Sequence, residues 1–304
     1  MTDEFDFTRP QPAQRPAPAE PSAPSAPFKP AQSRYYDPKV AEALFRKEGK
    51  PERFAAGQAL FVEEEKTKGG LFRSAARMYF LVEGEVALTH RGRALDTVRA
   101  GEVFGEMAVV SARPRSATAT AKTDGAAISL DRGELQDALA RSPEFALMLM
   151  SVMFDRLRFL VARLAARKGA GAGPAREATV FDAATLAQFE QALPRASTVR
   201  HWNDTVVMRE GQSGAFMYVV KSGRVAISIR GGVVEIVQPG GIFGEMALVD
   251  QAPRAATATT QVECELLQVD RPSLLAAVRG HPAIAMAMLR GIAERVRYMN
   301  EQLN

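Results

Sequence analysis

Apolar and polar positions change period within the chain. Short runs rich in β-branched residues, such as Val225-Ala226-Ile227-Ser228-Ile229, alternate and then stop at glycines such as Gly231-Gly232. That is the pattern of half-buried strands joined by tight turns. Further along, Leu135, Leu139, Phe145, Leu149, Val152, Met153, Leu157, Leu160 and Leu164 recur at helical spacing, which puts an apolar stripe on a long helix. Strands followed by a long helix predict a compact antiparallel roll closed by that helix. Shorter helices are expected before each set of strands, at Pro38 to Lys47 and Ala183 to Leu193.

The whole pattern occurs twice. Met78-Tyr79-Phe80-Leu81-Val82-Glu83-Gly84 returns as Met217-Tyr218-Val219-Val220-Lys221-Ser222-Gly223, 139 residues later. Phe104-Gly105-Glu106-Met107-Ala108 returns as Phe243-Gly244-Glu245-Met246-Ala247, and Pro114-Arg115 and Pro143 return as Pro253-Arg254 and Pro282, all at the same step. A constant offset without gaps implies duplication of a domain. Upstream the register slips: Val62-Glu63-Glu64-Glu65 aligns with Val207-Met208-Arg209-Glu210, leaving the first copy about six residues longer near Lys66 to Ala76. The predicted fold class is α+β, mainly β: two tandem β-roll barrels, each preceded by a short helix and followed by a long one. A Pro/Ala-rich stretch over residues 1–33 cannot bury enough apolar area to order itself. The first domain is expected over 34–166, a Gly-rich linker over 167–178, and the second domain over 179–304.

Composition then narrows the functional classes. A net charge of +4 is small for 304 residues and its cations are scattered, so charge gives no reason to expect nucleic-acid binding. The single cysteine, Cys264, cannot form an internal disulfide, and no apolar run is long enough to span a membrane. A cytoplasmic protein without membrane association is the expectation. His90, His201 and His281 lie far apart, with no ligand spacing for a metal. Trp202 is expected to pack against the second barrel, and Ser197 reads as an ordinary surface serine.

Candidate chemistry concentrates at Gly101-Glu102-Val103-Phe104-Gly105-Glu106-Met107-Ala108, followed by Pro114-Arg115-Ser116-Ala117-Thr118. A glycine ahead of a short helix leaves backbone N–H groups free to meet an anion. An arginine about nine residues after the glutamate can return over the same turn and offer a planar fork of donors to a phosphate. The glutamate shares the phosphate's sign, and is suited instead to accept a hydrogen bond from a sugar hydroxyl and to orient the arginine. The same set stands at Gly244, Glu245 and Arg254.

Both copies resemble the cyclic-nucleotide-binding domain of protein kinase A regulatory subunits and of the bacterial catabolite activator protein, over roughly residues 35–165 and 180–302. The resemblance implies that Glu106 and Glu245 hold the ribose, that Arg115 and Arg254 hold the cyclic phosphate, and that amides of Gly105, Ala108, Gly244 and Ala247 complete each cradle. It also implies jelly-roll-like barrels. The residue after the arginine, Ser116 or Ala255, bears on the base: Ala255 favours cAMP, whereas Ser116 permits cAMP or cGMP. Matching from Pro143 and Pro282 puts Leu160 and Met299 on the helix that covers the base, with Asn300 as its polar partner. No cofactor is implied beyond the nucleotide itself.

No nucleophile with a nearby base is visible, so a non-enzymatic receptor is expected, signalling to an unidentified protein effector through its helices. No helix-turn-helix segment and no inhibitor-like Arg-Arg-x-Ser stretch is recognisable. The long helices offer a surface for a homodimer. The alternative reading is an interaction module whose pockets no longer respond to ligand.

Overall fold

The computed structural model describes residues 35–64, 76–166, 176–193 and 198–303. The N-terminal stretch 1–33, Ser197 and residues 167–175 of the expected linker lie outside them. The first repeat opens with α1 (Pro38–Glu48), which Asp37 caps by accepting from the Lys39 amide while Pro38 sets the entry dihedral. Its strands are β1 (Lys50–Phe54), β2 (Ala59–Phe61), β3 (Met78–Glu83), β4 (Glu85–His90), β5 (Arg93–Arg99), β6 (Val103–Phe104), β7 (Thr118–Ala121) and β8 (Gly125–Leu130), with the short helix α2 (Glu106–Ser111) between β6 and β7. They form two four-stranded antiparallel sheets in the orders β1-β8-β3-β6 and β2-β7-β4-β5. Each predicted barrel is thus a jelly-roll-like pair of open sheets rather than a closed cylinder.

The second repeat begins with β9 (Arg176–Ala178) and α5 (Ala183–Ala192). Its strands β10 (Thr198–His201), β11 (Val206–Met208), β12 (Phe216–Ser222), β13 (Val225–Ile229), β14 (Gly232–Val237), β15 (Ile242–Phe243), β16 (Thr257–Thr260) and β17 (Cys264–Asp270) enclose α6 (Glu245–Asp250). The sheet orders repeat the first domain's, except that β9 adds parallel to β14 as a fifth strand. The last three residues of the expected linker are therefore sheet. In both repeats a two-residue turn at positive φ, Arg91-Gly92 and Arg230-Gly231, joins the hairpin strands, the turn whose twist matches that of paired strands.

Hydrogen bonding resolves the upstream register. The Glu63 amide donates to Thr118 Oγ1 and the Glu210 amide to Thr257 Oγ1, at 2.9 and 3.0 Å. The threonines stand 139 residues apart and the glutamates 147, so the first copy is eight residues longer there, not six. Three consecutive glutamates made several alignments equally good; only the strand pairing distinguishes them.

The single closing helix of each repeat is in fact two. Helices α3 (Arg132–Arg141) and α4 (Pro143–Ala166) break at Ser142, and α7 (Arg271–Gly280) and α8 (Pro282–Leu303) break at His281. A proline has no N–H to continue the ladder and pushes the preceding residue out of the helical region; Ser142 has φ −135° and His281 φ −139°. Asp131 and Asp270 start the two short helices by accepting from backbone amides.

Two separate cores lie between the sheets, around Phe54, Leu81 and Phe104 in one repeat and Val220, Phe243 and Leu266 in the other. A third, larger core joins the repeats: Phe145, Phe154 and Leu157 of α4 share it with Ile284, Leu289 and Val296 of α8. The apolar faces expected to serve a homodimer are thus covered by each other within one chain. Trp202 does not pack on the second barrel; it is 73% exposed in the turn after β10, where only its carbonyl is engaged, by Thr260 Oγ1.

Because Phe154 is fully buried in the core common to both repeats, Phe154→Ala is expected to lower global stability by about 3–5 kcal/mol. Denaturant unfolding followed by far-UV circular dichroism should show an earlier midpoint.

Candidate ligand-binding site

Two cavities of about 270 and 260 Å³ lie at the repeated segments. Gly105 and Gly244 precede α2 and α6 with φ of +76° and +77°, a region that side-chain-bearing residues rarely adopt. A Cβ on Gly244 would lie 2.6 Å from Arg254 Nη1, so the absent side chain also makes room for the arginine. The first cavity is lined by Gly105, Glu106, Ala108, Arg115 and Ser116, and the second by Gly244, Glu245, Ala247, Arg254 and Ala255. Every residue expected in the two cradles thus borders a cavity.

The arginines are buried, each 6% exposed. Arg254 donates from Nη1 to the Gly244 carbonyl and from Nη2 to the Phe216 carbonyl, both at 2.7 Å. Arg115 makes the equivalent bonds to Gly105 and Arg77 carbonyls at 3.0 and 2.8 Å. Its Cζ also stands 4.0 Å above the Phe61 ring, a cation–π contact, where Met208 takes the corresponding place in the second copy. Burial pushes the Arg254 pKa below its usual value, while Tyr218 and Glu245 act in the opposite sense. Among the described residues no carboxylate forms an ion pair with Arg254. A buried cation held only by neutral carbonyls leaves unspent charge at a cavity wall, which is what an anion requires.

Glu245 does not orient Arg254, contrary to the expectation from spacing. Its Oε1 pairs at 2.5 Å with Arg295 Nη1 from α8, and Arg295 also meets Glu235 at 3.1 Å and the Ile242 carbonyl at 2.7 Å. Burial disfavours the charge of Arg295, yet the two glutamates outweigh it and raise its pKa. In the first repeat Arg156 of α4 pairs with Glu106 at 2.6 Å. Both glutamates are nearly inaccessible, at 1% and 2%. Spacing along one segment could not show these partners, because they arrive from a helix 50 residues away. The signal available was that Arg156 and Arg295 themselves stand 139 residues apart.

The comparison with known proteins agrees with this geometry. The profile of the Cyclic nucleotide-binding domain family matches residues 51–142 and 200–281. The chain belongs to that family. A CRP-like cAMP-activated global transcriptional regulator of Mycobacterium tuberculosis is 33% identical over 102 residues, 32% of this chain and 46% of the relative. A cAMP-dependent protein kinase regulatory subunit of Schizosaccharomyces pombe is 25% identical over 191 residues, 62% of this chain and 41% of the relative. The chain thus spans less than half the length of these relatives. The Thermus thermophilus catabolite activator protein structure aligns with 24% identity over 51% of this chain and 62% of that one, at a TM-score of 0.37.

Within the two cyclic-nucleotide-binding repeats, Leu160 borders the first cavity and Met299 the second, at the helix positions expected to cover a base. Asn300 is different: although next to Met299 in sequence, it borders the first cavity. Gly214 was not anticipated either. A Cβ there would fall 2.2 Å from Arg254 Nη2, so the loop before β12 lies directly on the guanidinium. Among the described residues no group of three or more His, Cys, Asp or Glu is placed to hold a metal, and no helix is long and apolar enough to cross a membrane.

Removing Arg295 leaves Glu235 and Glu245 buried without their cation. Arg295→Ala is expected to cost about 3–5 kcal/mol of stability, measured by urea denaturation of the ligand-free chain.

Proposed function

We propose that this protein is a non-enzymatic receptor for a cyclic purine nucleotide, cAMP foremost, that reports occupancy to a protein partner through its long helices. The observation that carries this reading is the buried Arg254 guanidinium, held by two carbonyls beside a cavity whose floor is a glycine turn. The cyclic phosphate sits against Arg115 or Arg254 and the cradle amides, and the ribose hydroxyl donates to Glu106 or Glu245. Arg156 and Arg295 are the link to the helices: each holds the ribose glutamate from α4 or α8. A ligand that draws on the glutamate thereby acts on the helix that carries its arginine. It shifts the helices only as far as it binds one arrangement better than another. Ala255 beside the second arginine supports cAMP there, and the cAMP-linked names of the relatives agree. Ser116 leaves the first site open to cAMP or cGMP.

Calorimetric titration with cAMP is expected to give two bound nucleotides per chain. Arg115→Ala and Arg254→Ala should each weaken one site by about 30-fold to several thousand-fold, since a phosphate left unpaired in a buried site costs roughly 2–5 kcal/mol. No heat with either nucleotide at millimolar concentration would dismiss the receptor reading.

A further inference from the structure

Each cavity is bordered by the long helix of the other repeat. Asn300 of α8 reaches the first cavity, and Leu157 and Arg158 of α4 reach the second. The crossing is tied down at both ends. Arg158 forms an ion pair with Asp250, a buried carboxylate at the C-terminal end of α6. Its repeat equivalent, Arg297, donates from Nη2 to the Pro114 carbonyl at 3.1 Å, directly before Arg115. Arg113 and Glu294 add an ion pair at 3.9 Å across the same junction. Arg158 Nη2 is in addition buried without a hydrogen-bond partner, a costly state that an acceptor on a ligand can relieve.

On the receptor reading given above, phosphate and ribose are met by residues of the site's own repeat. The residues that cross over therefore stand where the purine lies. We propose that each site is completed at its base end by the opposite repeat: Asn300 contacts the base in the first site and Arg158 the base in the second. Their chemistry differs. The Asn300 amide both donates and accepts, whereas the Arg158 guanidinium only donates, so the two sites read the purine edge differently. Neither repeat alone forms a whole site.

The test isolates one site at a time in the full-length chain, with Arg254→Ala leaving the first site and Arg115→Ala leaving the second, and titrates cAMP and cGMP into each. Asn300→Ala is expected to weaken the first site about tenfold, the value of one good hydrogen bond, and to change its cAMP-to-cGMP ratio, with the second site altered less than about twofold. Arg158→Ala should do the reverse. Arg158→Lys retains the charge facing Asp250 but loses the planar fork, and is expected to lose the base preference as Arg158→Ala does. The proposal is overturned if the variants weaken the site of their own repeat, leave both sites unchanged, or lower affinity with the nucleotide ratio intact. It is also overturned for the second site if Arg158→Lys behaves as the parent, because Arg158 then acts only through Asp250. Absence of any binding in the unsubstituted chain is a separate outcome, since it removes the receptor reading itself and this proposal with it.

Discussion

The site depends on keeping a guanidinium charged where water is largely excluded. Burying an unpaired cation is expensive, and in each repeat the cost is offset by carbonyl oxygens: Gly105 and Arg77 for Arg115, Gly244 and Phe216 for Arg254. Carbonyls fix the fork without neutralising it. A carboxylate in their place would stabilise the arginine better and would also cancel the charge an anionic ligand needs. The glycine turn follows from the same requirement, because a Cβ on Gly244 would displace the guanidinium from its carbonyl.

The acid in each site is separated from this arginine by giving it a partner of its own. Glu106 and Glu245 are held by Arg156 and Arg295 from the long helices, so two opposite charges share a cavity without forming a pair. That separation is possible only because α4 and α8 lie against the sheets at a fixed rotation. Their position is set in turn by the core they share, in which Phe154 and Leu157 meet Leu289 and Val296. The two halves of the chain are therefore less independent than two domains on a linker. The first hairpin sheets carry separate cores, but the helices form one body.

The repeats differ where they meet. Asp250 at the end of α6 pairs with Arg158, while the matching position in α2 is Ser111, which bonds its own helix at the Met107 carbonyl. Arg297 reaches a carbonyl instead of a carboxylate. Duplication gave two similar frames, and the junction between them is where the copies have separated in chemistry. A ligand in one cavity meets a different neighbour from a ligand in the other, although the cradles match residue for residue.

Much of the fold and nearly all of the cradle were legible in the chain. Alternation and helical spacing mark strands and closing helices because burial of one face imposes those periods, and the 139-residue repeat marks two copies without reference to any contact. The cradle glycine, glutamate and arginine are local in sequence, so their spacing alone brings them to one turn. What lies far apart in sequence was beyond reach. The partner of Glu245, the location of Asn300 on the first cavity, the exposure of Trp202 and the register of the glutamates before β3 all depend on how separate elements pack. Periodicity says which face of a helix is apolar; it does not say which surface that face meets. Only tertiary packing, by bringing α4 to the second cavity and α8 to the first, decided which side chains share each site.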